Sequence, residues 1–331
     1  MSVGMVKRNF QPYSRVLRAV FVAVALFSAT RGVSQEQIGG KLPSQSTLVA
    51  ELQSPKVAER ASAVHSLLAV PADRLPAPVR DQILKLYAAE LEKWREALQG
   101  RLAEAEARER SQEAFAEYLA YLGTLVMRVG GEHAWGLLID SPSQPMADSN
   151  RELAALGTRV LPLVLNRLAE LRTFMVNTGA HKGPDSASQM AMADILGQML
   201  VLSHAGKLRP QLSATDEASI RRGLRPYLSD SDLDVRFWAA SALALAKDKR
   251  DTAEIRQVFA HKLSSPRPIE RVIALQKLAR VSDSAFIPTD ALKKLAQDDP
   301  YNGPAPREFS RGPYPIRKQA EEILESLHAT Q

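Results

Sequence analysis

Apolar residues recur every three or four positions from residue 46 to residue 328, and Leu and Ala predominate among them. A period of about 3.6 residues places such side chains on one face of an α-helix. Ala and Leu are also strong helix formers, whereas the aromatic residues that favour strands make up only 6% of the chain. The chain shows no convincing strand alternation. The pattern therefore predicts an all-α fold.

Pro, Gly and Ser interrupt this helical pattern and mark the ends of the predicted helices. Ser54-Pro55 suits a helix start, because Pro fits the first helical position. The longest helical stretch covers 77–129, and breaks are expected within it near Gly100 and Ser111. The other predicted helices span 46–53, 55–69, 132–140, 147–156, 159–173, 187–204, 215–227, 232–246, 251–263, 267–281, 288–297 and 314–328.

One register recurs four times along the chain. Each copy has an apolar residue eight positions before an Arg, an Ala three positions after it and a Leu seven positions after it. The copies are Leu52-Arg60-Ala63-Leu67, Leu228-Arg236-Ala239-Leu243, Leu263-Arg271-Ala274-Leu278 and Phe309-Arg317-Ala320-Leu324. The Ala and the Leu share a helical face, where Ala allows close helix approach and Leu fills the contact. This internal repetition predicts a series of helix pairs that stack on one another.

The second copy carries the most specific motif, Asp230-Ser231-Asp232-Leu233-Asp234-Val235-Arg236-Phe237-Trp238-Ala239-Ala240. It resembles the Asp-x-Asp-x-x-Val-Arg-x-x-Ala signature of the bacterial branch of the HEAT-repeat family, to which the repeats of bilin lyases also belong. The resemblance is strong over 228–281, fair at 46–69 and 288–328, and weak across 77–204.

The resemblance implies a right-handed α-solenoid, a superhelix of about six or seven helix pairs whose concave face is lined by the second helix of each pair. It covers 46–331, with divergent repeats over 46–204 and clearer ones over 215–328. Family members mostly act as protein-binding scaffolds. The function that the resemblance implies is therefore binding of a protein or peptide on the concave face, without catalysis or a cofactor.

The first 34 residues have the pattern of a secretory signal peptide. A basic start that contains no acidic residue precedes the apolar run Ala19–Ala29, and the small residues Gly32 and Ser34 favour cleavage before Gln35. The alternative is an uncleaved membrane anchor, but only 12 residues separate Arg18 from Arg31, fewer than the roughly 20 that a spanning helix needs. We therefore expect a periplasmic or secreted protein in which a flexible leader, 35–45, precedes the repeats.

Removal of this segment changes the charge of the chain. The whole chain has 43 basic and 37 acidic residues, and five of the basic ones lie within 1–34. The remaining 38 basic residues nearly balance the 37 acidic ones. Nucleic-acid binding needs a positive surface, so this near-balance of charge removes the main argument for it. Over 221–331, however, the 19 basic residues outnumber the 15 acidic ones. We expect a protein or peptide partner, no nucleic acid, and no membrane insertion of the mature chain.

Residues for catalysis or metal binding are sparse in the sequence. The chain has no Cys, and its six His include no pair at i, i+4. The alternative to a scaffold is a lyase-like or metal-dependent HEAT-related enzyme or enzyme subunit. A cluster of Glu132, His133 and His181 in space would favour that alternative. We expect no metal site and no enzyme activity.

The repeated arginines, Arg60, Arg236, Arg271 and Arg317, have two interpretations. They form either an anion-binding row or a structural ladder in which each Arg binds turn carboxylates and loop carbonyls. The structural ladder is favoured, and Asp230, Asp232 and Asp234 are placed to take part in it. Partner binding is expected instead from two loops, through His181 and Lys182 in 178–186 and through Tyr301, Arg307 and Phe309 in 298–313.

Overall fold

A computed structural model describes residues 44–98, 113–140, 147–178, 184–303 and 313–328. Over these residues the chain forms helices and turns and no strand, which confirms the all-α prediction. The predicted signal segment 1–34 and nearly all of the leader 35–45 lie outside the described residues. His181, Lys182, Arg307 and Phe309 lie outside them as well.

Fourteen α-helices occupy the described part of the chain, and most of their bounds lie within three residues of the predicted ones. The first five are α1 (Gln45–Leu52), α2 (Val57–Leu68), α3 (Ala77–Leu98), α4 (Glu113–Val129) and α5 (Gly131–Ile139). The next four are α6 (Ala147–Ala155), α7 (Leu161–Thr178), α8 (Pro184–His204) and α9 (Ala214–Leu224). The last five are α10 (Leu233–Leu245), α11 (Thr252–Leu263), α12 (Pro268–Leu278), α13 (Thr289–Asp298) and α14 (Pro315–His328).

The chain divides into two compact units, residues 1–149 and 150–331. In the described part of the first unit, α4 packs against α2, α3 and α5, and α1 packs against α2 and α3. Its core contains fully buried side chains such as Leu67, Ile83, Phe115 and Leu122. Burying a side chain of this size stabilises the fold by roughly 1.5–3 kcal/mol.

In the second unit, helices that are consecutive in the chain pack together, as α7 with α8, α11 with α12, and α13 with α14. Helices two places apart also pack together, as α8 with α10, α12 with α14, α7 with α9, and α11 with α13. Phe237 and Phe259 meet edge to face in the core, with ring centroids 5.6 Å apart. Such an arrangement suits the charge distribution of the two aromatic rings.

Asx and capping interactions start several of these helices. Ser213 and Asp216 form a reciprocal capping box at the start of α9, which satisfies two backbone N–H groups that the helix itself cannot pair. Asp232 caps α10 by accepting the Asp234 N–H. None of the described helices is long and apolar enough to cross a membrane.

Candidate functional site

A groove of mixed polarity lies in the second unit, where three helices that each come second in a predicted pair meet. Its lining residues come from α8, α10 and α12 and from the turn that follows α12. They are Ala193, Asp194, Gly197, Gln198, Val201, Trp238, Ser241, Ala242, Leu245, Lys277 and Arg280. The cavity itself holds only about 10 Å³, which is room for about one water molecule.

Small residues bring two of these helices close enough to form the floor of the groove. A Cβ placed on Gly197 of α8 would lie 3.4 Å from Ala242 Cβ of α10, which is van der Waals contact. Ala193 and Ser241 are small and buried next to this contact. The close approach lets Asp194 of α8 reach a cation on α12.

The centre of the groove is a buried ion pair between Lys277 and Asp194. The Lys277 Nζ donates to Asp194 Oδ1 at 2.7 Å, and the two side chains are 15% and 9% exposed. Asp194 Oδ2 accepts from Gln198 Nε2 at 2.9 Å and from Asn150 Nδ2 at 3.1 Å. Three donors thus surround the carboxylate, which offsets the desolvation cost of burying it.

Trp238 provides the second partner of Lys277. The Lys277 Nζ lies 4.0 Å from the centroid of the Trp238 ring, within range of a cation–π interaction. Burial lowers the pKa of the Lys277 ammonium below its ordinary value, and the attraction of Asp194 opposes this effect. The charge of the nearby Arg280 lowers the same pKa further.

Arg280 lies at the rim of the groove, just beyond the end of α12, and its side chain is exposed. Its guanidinium has no ion pair with any residue that the structure describes. Lys277 and Arg280 contribute two positive charges to the groove, and Asp194 contributes one negative charge. The groove therefore carries an excess positive charge next to an aromatic surface.

The repeated arginines lie elsewhere, and two of them have matching surroundings. In the first unit, Arg60 donates to the Ser54 carbonyl at 2.8 Å and to Glu90 Oε1 at 2.9 Å. In the second unit, Arg271 donates to the Ser265 carbonyl at 2.7 Å, and its Nε lies 2.6 Å from Asp299 Oδ2. Both arginines are buried. Each thus binds a carbonyl just past the end of the preceding helix and a buried carboxylate from farther along the chain.

The similarity extends to the turn in front of each of these arginines. Ser54 Oγ donates to Glu59 Oε2 at 2.6 Å, and Ser265 Oγ donates to Glu270 Oε2 at the same distance. Each serine Oγ also accepts a backbone N–H two residues ahead, that of Lys56 or Arg267. In the sequence both copies have Ser-Pro followed by Glu-Arg, as Ser54-Pro55 with Glu59-Arg60 and as Ser265-Pro266 with Glu270-Arg271. These shared positions form the same local structure twice.

The other two arginines differ from this arrangement. The Arg317 Nε donates to the Asp299 carbonyl at 2.7 Å, again just past a helix end, and its guanidinium lies over the Tyr314 ring. The Arg236 guanidinium makes no hydrogen bond or ion pair with the residues that the structure describes, and its Nε is buried. A ladder that includes Arg236 is therefore not present among these residues.

The three acidic residues expected to pair with the arginines have other partners. Asp230 Oδ1 accepts the Asp232 N–H and Asp232 Oδ1 accepts the Asp234 N–H, both at 2.8 Å. Asp234 pairs with Lys262 at the end of α11. Short acidic side chains next to a helix start bind local backbone N–H groups readily, and this competes with pairing to Arg236.

Of the five residues expected to bind a partner, only Tyr301 lies within the described residues. It is partly buried, and its backbone N–H donates to Asp299 Oδ1 at 2.9 Å. Its ring covers Gly303, where an added Cβ would lie 2.5 Å from the Tyr301 Oη. This part of the 298–313 loop therefore belongs to the packing around Asp299.

The residues named for a metal-dependent enzyme do not form a described site. Glu132 and His133 are exposed at the start of α5, and His181 lies outside the described residues. Among the residues whose positions are described, no group of three His, Asp or Glu side chains is placed to hold a metal ion.

Sequence reasoning missed the central residues of the groove, although one signal was present. Asp194 lies in Met190–Leu200, a segment of α8 that is apolar on nearly all sides. A carboxylate in such a helix is buried and needs a cation. Nothing in the sequence identifies that cation, since Lys277 lies 83 residues farther on.

Comparison of the chain with known protein families, with curated proteins and with solved structures finds no match.

Proposed function

We propose that this chain is an exported HEAT-like scaffold that binds a protein or peptide along the face formed by its second helices and performs no catalysis. The observation that carries the proposal is the groove, which three successive second helices line together. A binding surface on that face is what the resemblance to HEAT repeats implies.

The packing of the second unit supports an α-solenoid. In a solenoid each helix pair contacts only its neighbours, so helices two places apart pack on each other. The contacts of α8 with α10, α12 with α14, and α11 with α13 have this pattern. Arg271 and Arg317 act at helix starts, where each ties the end of one helix to the start of the next.

The groove suits binding better than chemistry. A reaction site needs room for substrate beside its reactive groups, whereas this cavity holds about one water molecule. At its centre Lys277 and Asp194 are paired with each other, and Arg280 at the rim makes no ion pair with the described residues. Contact with another macromolecule at the rim needs no deep cavity.

Site-specific crosslinking tests the binding surface. A photoreactive apolar amino acid replaces Leu245, which is partly exposed in the lining of the groove, and in a matched variant it replaces Arg256, which is exposed on the first helix α11. We expect a discrete protein adduct in the source cell at position 245 and none at position 256. Equal labelling at both positions, or no adduct at either, would contradict the proposed binding face.

The export part of the proposal has a separate test. N-terminal sequencing of the chain from the envelope fraction should begin at Gln35. A chain that retains Met1 in the cytosol would contradict export, and it would leave the crosslinking result unaffected.

A further inference from the structure

We propose that the groove between α8, α10 and α12 binds an acidic segment of a peptide, with a carboxylate at Arg280 and Lys277 and an adjacent apolar side chain against Trp238. The inference rests on the proposed function and specifies the chemistry of the partner. It depends on the balance of donors, acceptors and charge in the groove.

The groove has more hydrogen-bond donors than acceptors. A lysine ammonium has three N–H donors and an arginine guanidinium has five. Lys277 uses one of its donors on Asp194, and Arg280 uses none on the described residues. A ligand that binds here should therefore supply acceptors.

The charged acceptor of the groove, the Asp194 carboxylate, is already occupied. Asp194 receives Lys277 on one oxygen and Asn150 with Gln198 on the other. The Ser241 Oγ donates to the Phe237 carbonyl of its own helix at 2.8 Å. Asp194 is thus committed to holding Lys277 in position, and it leaves the positive charge of Arg280 unbalanced.

A carboxylate fits this arrangement better than a larger anion. Asp194 shows that a carboxylate oxygen reaches the Lys277 Nζ at 2.7 Å, and a second carboxylate at the rim can bind the planar Arg280 fork with two parallel hydrogen bonds. The small volume of the groove excludes bulky groups from its interior. The acidic group of the ligand therefore stays at the rim.

The apolar part of the lining defines the neighbouring residue of the ligand. Val201, Trp238 and Leu245 line the groove, and all three side chains are partly exposed. Partly exposed aromatic and aliphatic side chains next to a cation suit a peptide in which an acidic residue adjoins an apolar one. We expect such a pair of residues in the bound segment.

Selection of peptides tests this chemistry directly. Random twelve-residue peptides displayed on phage are selected on the full-length chain, and a synthetic fluorescent copy of each enriched peptide is titrated against the variants. We expect enrichment of Glu or Asp next to an apolar residue. Binding should weaken at least tenfold on Arg280→Glu, fall with added salt, and stay unchanged on Arg256→Glu.

Arg280 is exposed and its guanidinium is unpaired among the described residues, so Arg280→Glu should keep the circular-dichroism spectrum and unfolding midpoint of the parent chain. Basic or uncharged consensus peptides, equal binding to Arg280→Glu, or no enriched peptide would overturn the inference. A single-stranded DNA oligonucleotide that displaces the peptide at equal charge would overturn the assignment to a peptide. A specific adduct at position 245 together with such a result would leave the scaffold function standing and remove only the acidic ligand.

Discussion

The turn before α12 and the turn before α10 hold equivalent sequence positions and solve the same structural problem differently. Before α12, the Arg271 side chain binds the Ser265 carbonyl and the Asp299 carboxylate. Before α10, Asp230 and Asp232 bind backbone N–H groups, and Arg236 remains without a described partner. In the turn before α12 a cation binds a backbone carbonyl, and in the turn before α10 carboxylates bind backbone N–H groups.

This difference shows what a repeated residue does and does not determine. The register sets where the Arg lies relative to its helix, because it is part of the local helical pattern. The partner depends on which side chain the rest of the fold brings near. Asp299 comes from 28 residues beyond Arg271, whereas Lys262 at the end of α11 takes the Asp234 carboxylate next to α10.

Replacing Arg271 by Met should have the largest effect on this comparison. The change leaves the Asp299 carboxylate buried without its cation, so the free energy of unfolding of the second unit should fall by about 3–5 kcal/mol. Urea denaturation followed by circular dichroism measures the loss. The matched control Arg267→Met, at a side chain 68% exposed, should change stability by no more than about 1 kcal/mol. Equal losses in the two variants would refute a buried role for Arg271.

Tyr118 extends the comparison to the matching network of the first unit. Its hydroxyl donates to Glu90 Oε1 at 3.2 Å and accepts from the Arg60 Nε at 3.3 Å. Tyr118→Phe removes one donor from a buried carboxylate and should lower stability by about 1–3 kcal/mol. Thermal unfolding of the variant measures this loss, and an unchanged midpoint would argue against the network.

The same tyrosine predicts a pH dependence. Burial raises the pKa of Tyr118 above its ordinary value of 10.0, and the negative charge of Glu90 adds to the effect. Above pH 10 the unfolded chain releases this proton while the folded chain keeps it, so stability is complete below pH 10 and is lost as the pH rises. Above pH 10 the contribution of Tyr118 to the fall in unfolding free energy should approach about 1.4 kcal/mol per pH unit. In Tyr118→Phe the fall per pH unit should be smaller by that amount. Parallel pH profiles of the two proteins from pH 9 to pH 11 would contradict this.

Replacing Lys262 should have a smaller effect, because in the turn before α10 Lys262 makes only part of the contacts that Arg271 makes before α12. It pairs with Asp234, which is 45% exposed, and lies 3.4 Å from Glu270. Lys262→Met should cost about 1 kcal/mol, since solvent screens the exposed carboxylate. A loss as large as that of Arg271→Met would show that the turn before α10 depends on its cation equally.

Arg236→Met should have the smallest effect. Its guanidinium has no described partner, and replacement removes a buried Nε without a hydrogen bond. We expect a change in stability within about 0.5 kcal/mol, measured in the same denaturation series. A loss above about 2 kcal/mol would mean that the two turns are alike after all.

The helices could be predicted from the sequence, and the contacts between distant residues could not. Apolar period and turn residues placed α12 within one residue at its start, because these signals act over a few positions. The Ser-Pro steps at Ser54 and Ser265 indicate the same type of turn for the same reason. The packing of α8, α10 and α12 brings Asp194 and Lys277 together, and no local sequence pattern indicates that packing.

Asp299 joins two successive helix pairs through a single residue. Its carboxylate holds Arg271 at the start of α12, and its carbonyl accepts from Arg317 at the start of α14. Fraying of α14 therefore withdraws support from α12. The C-terminal end should open as one cooperative block, with similar rates of amide hydrogen exchange in α12 and α14.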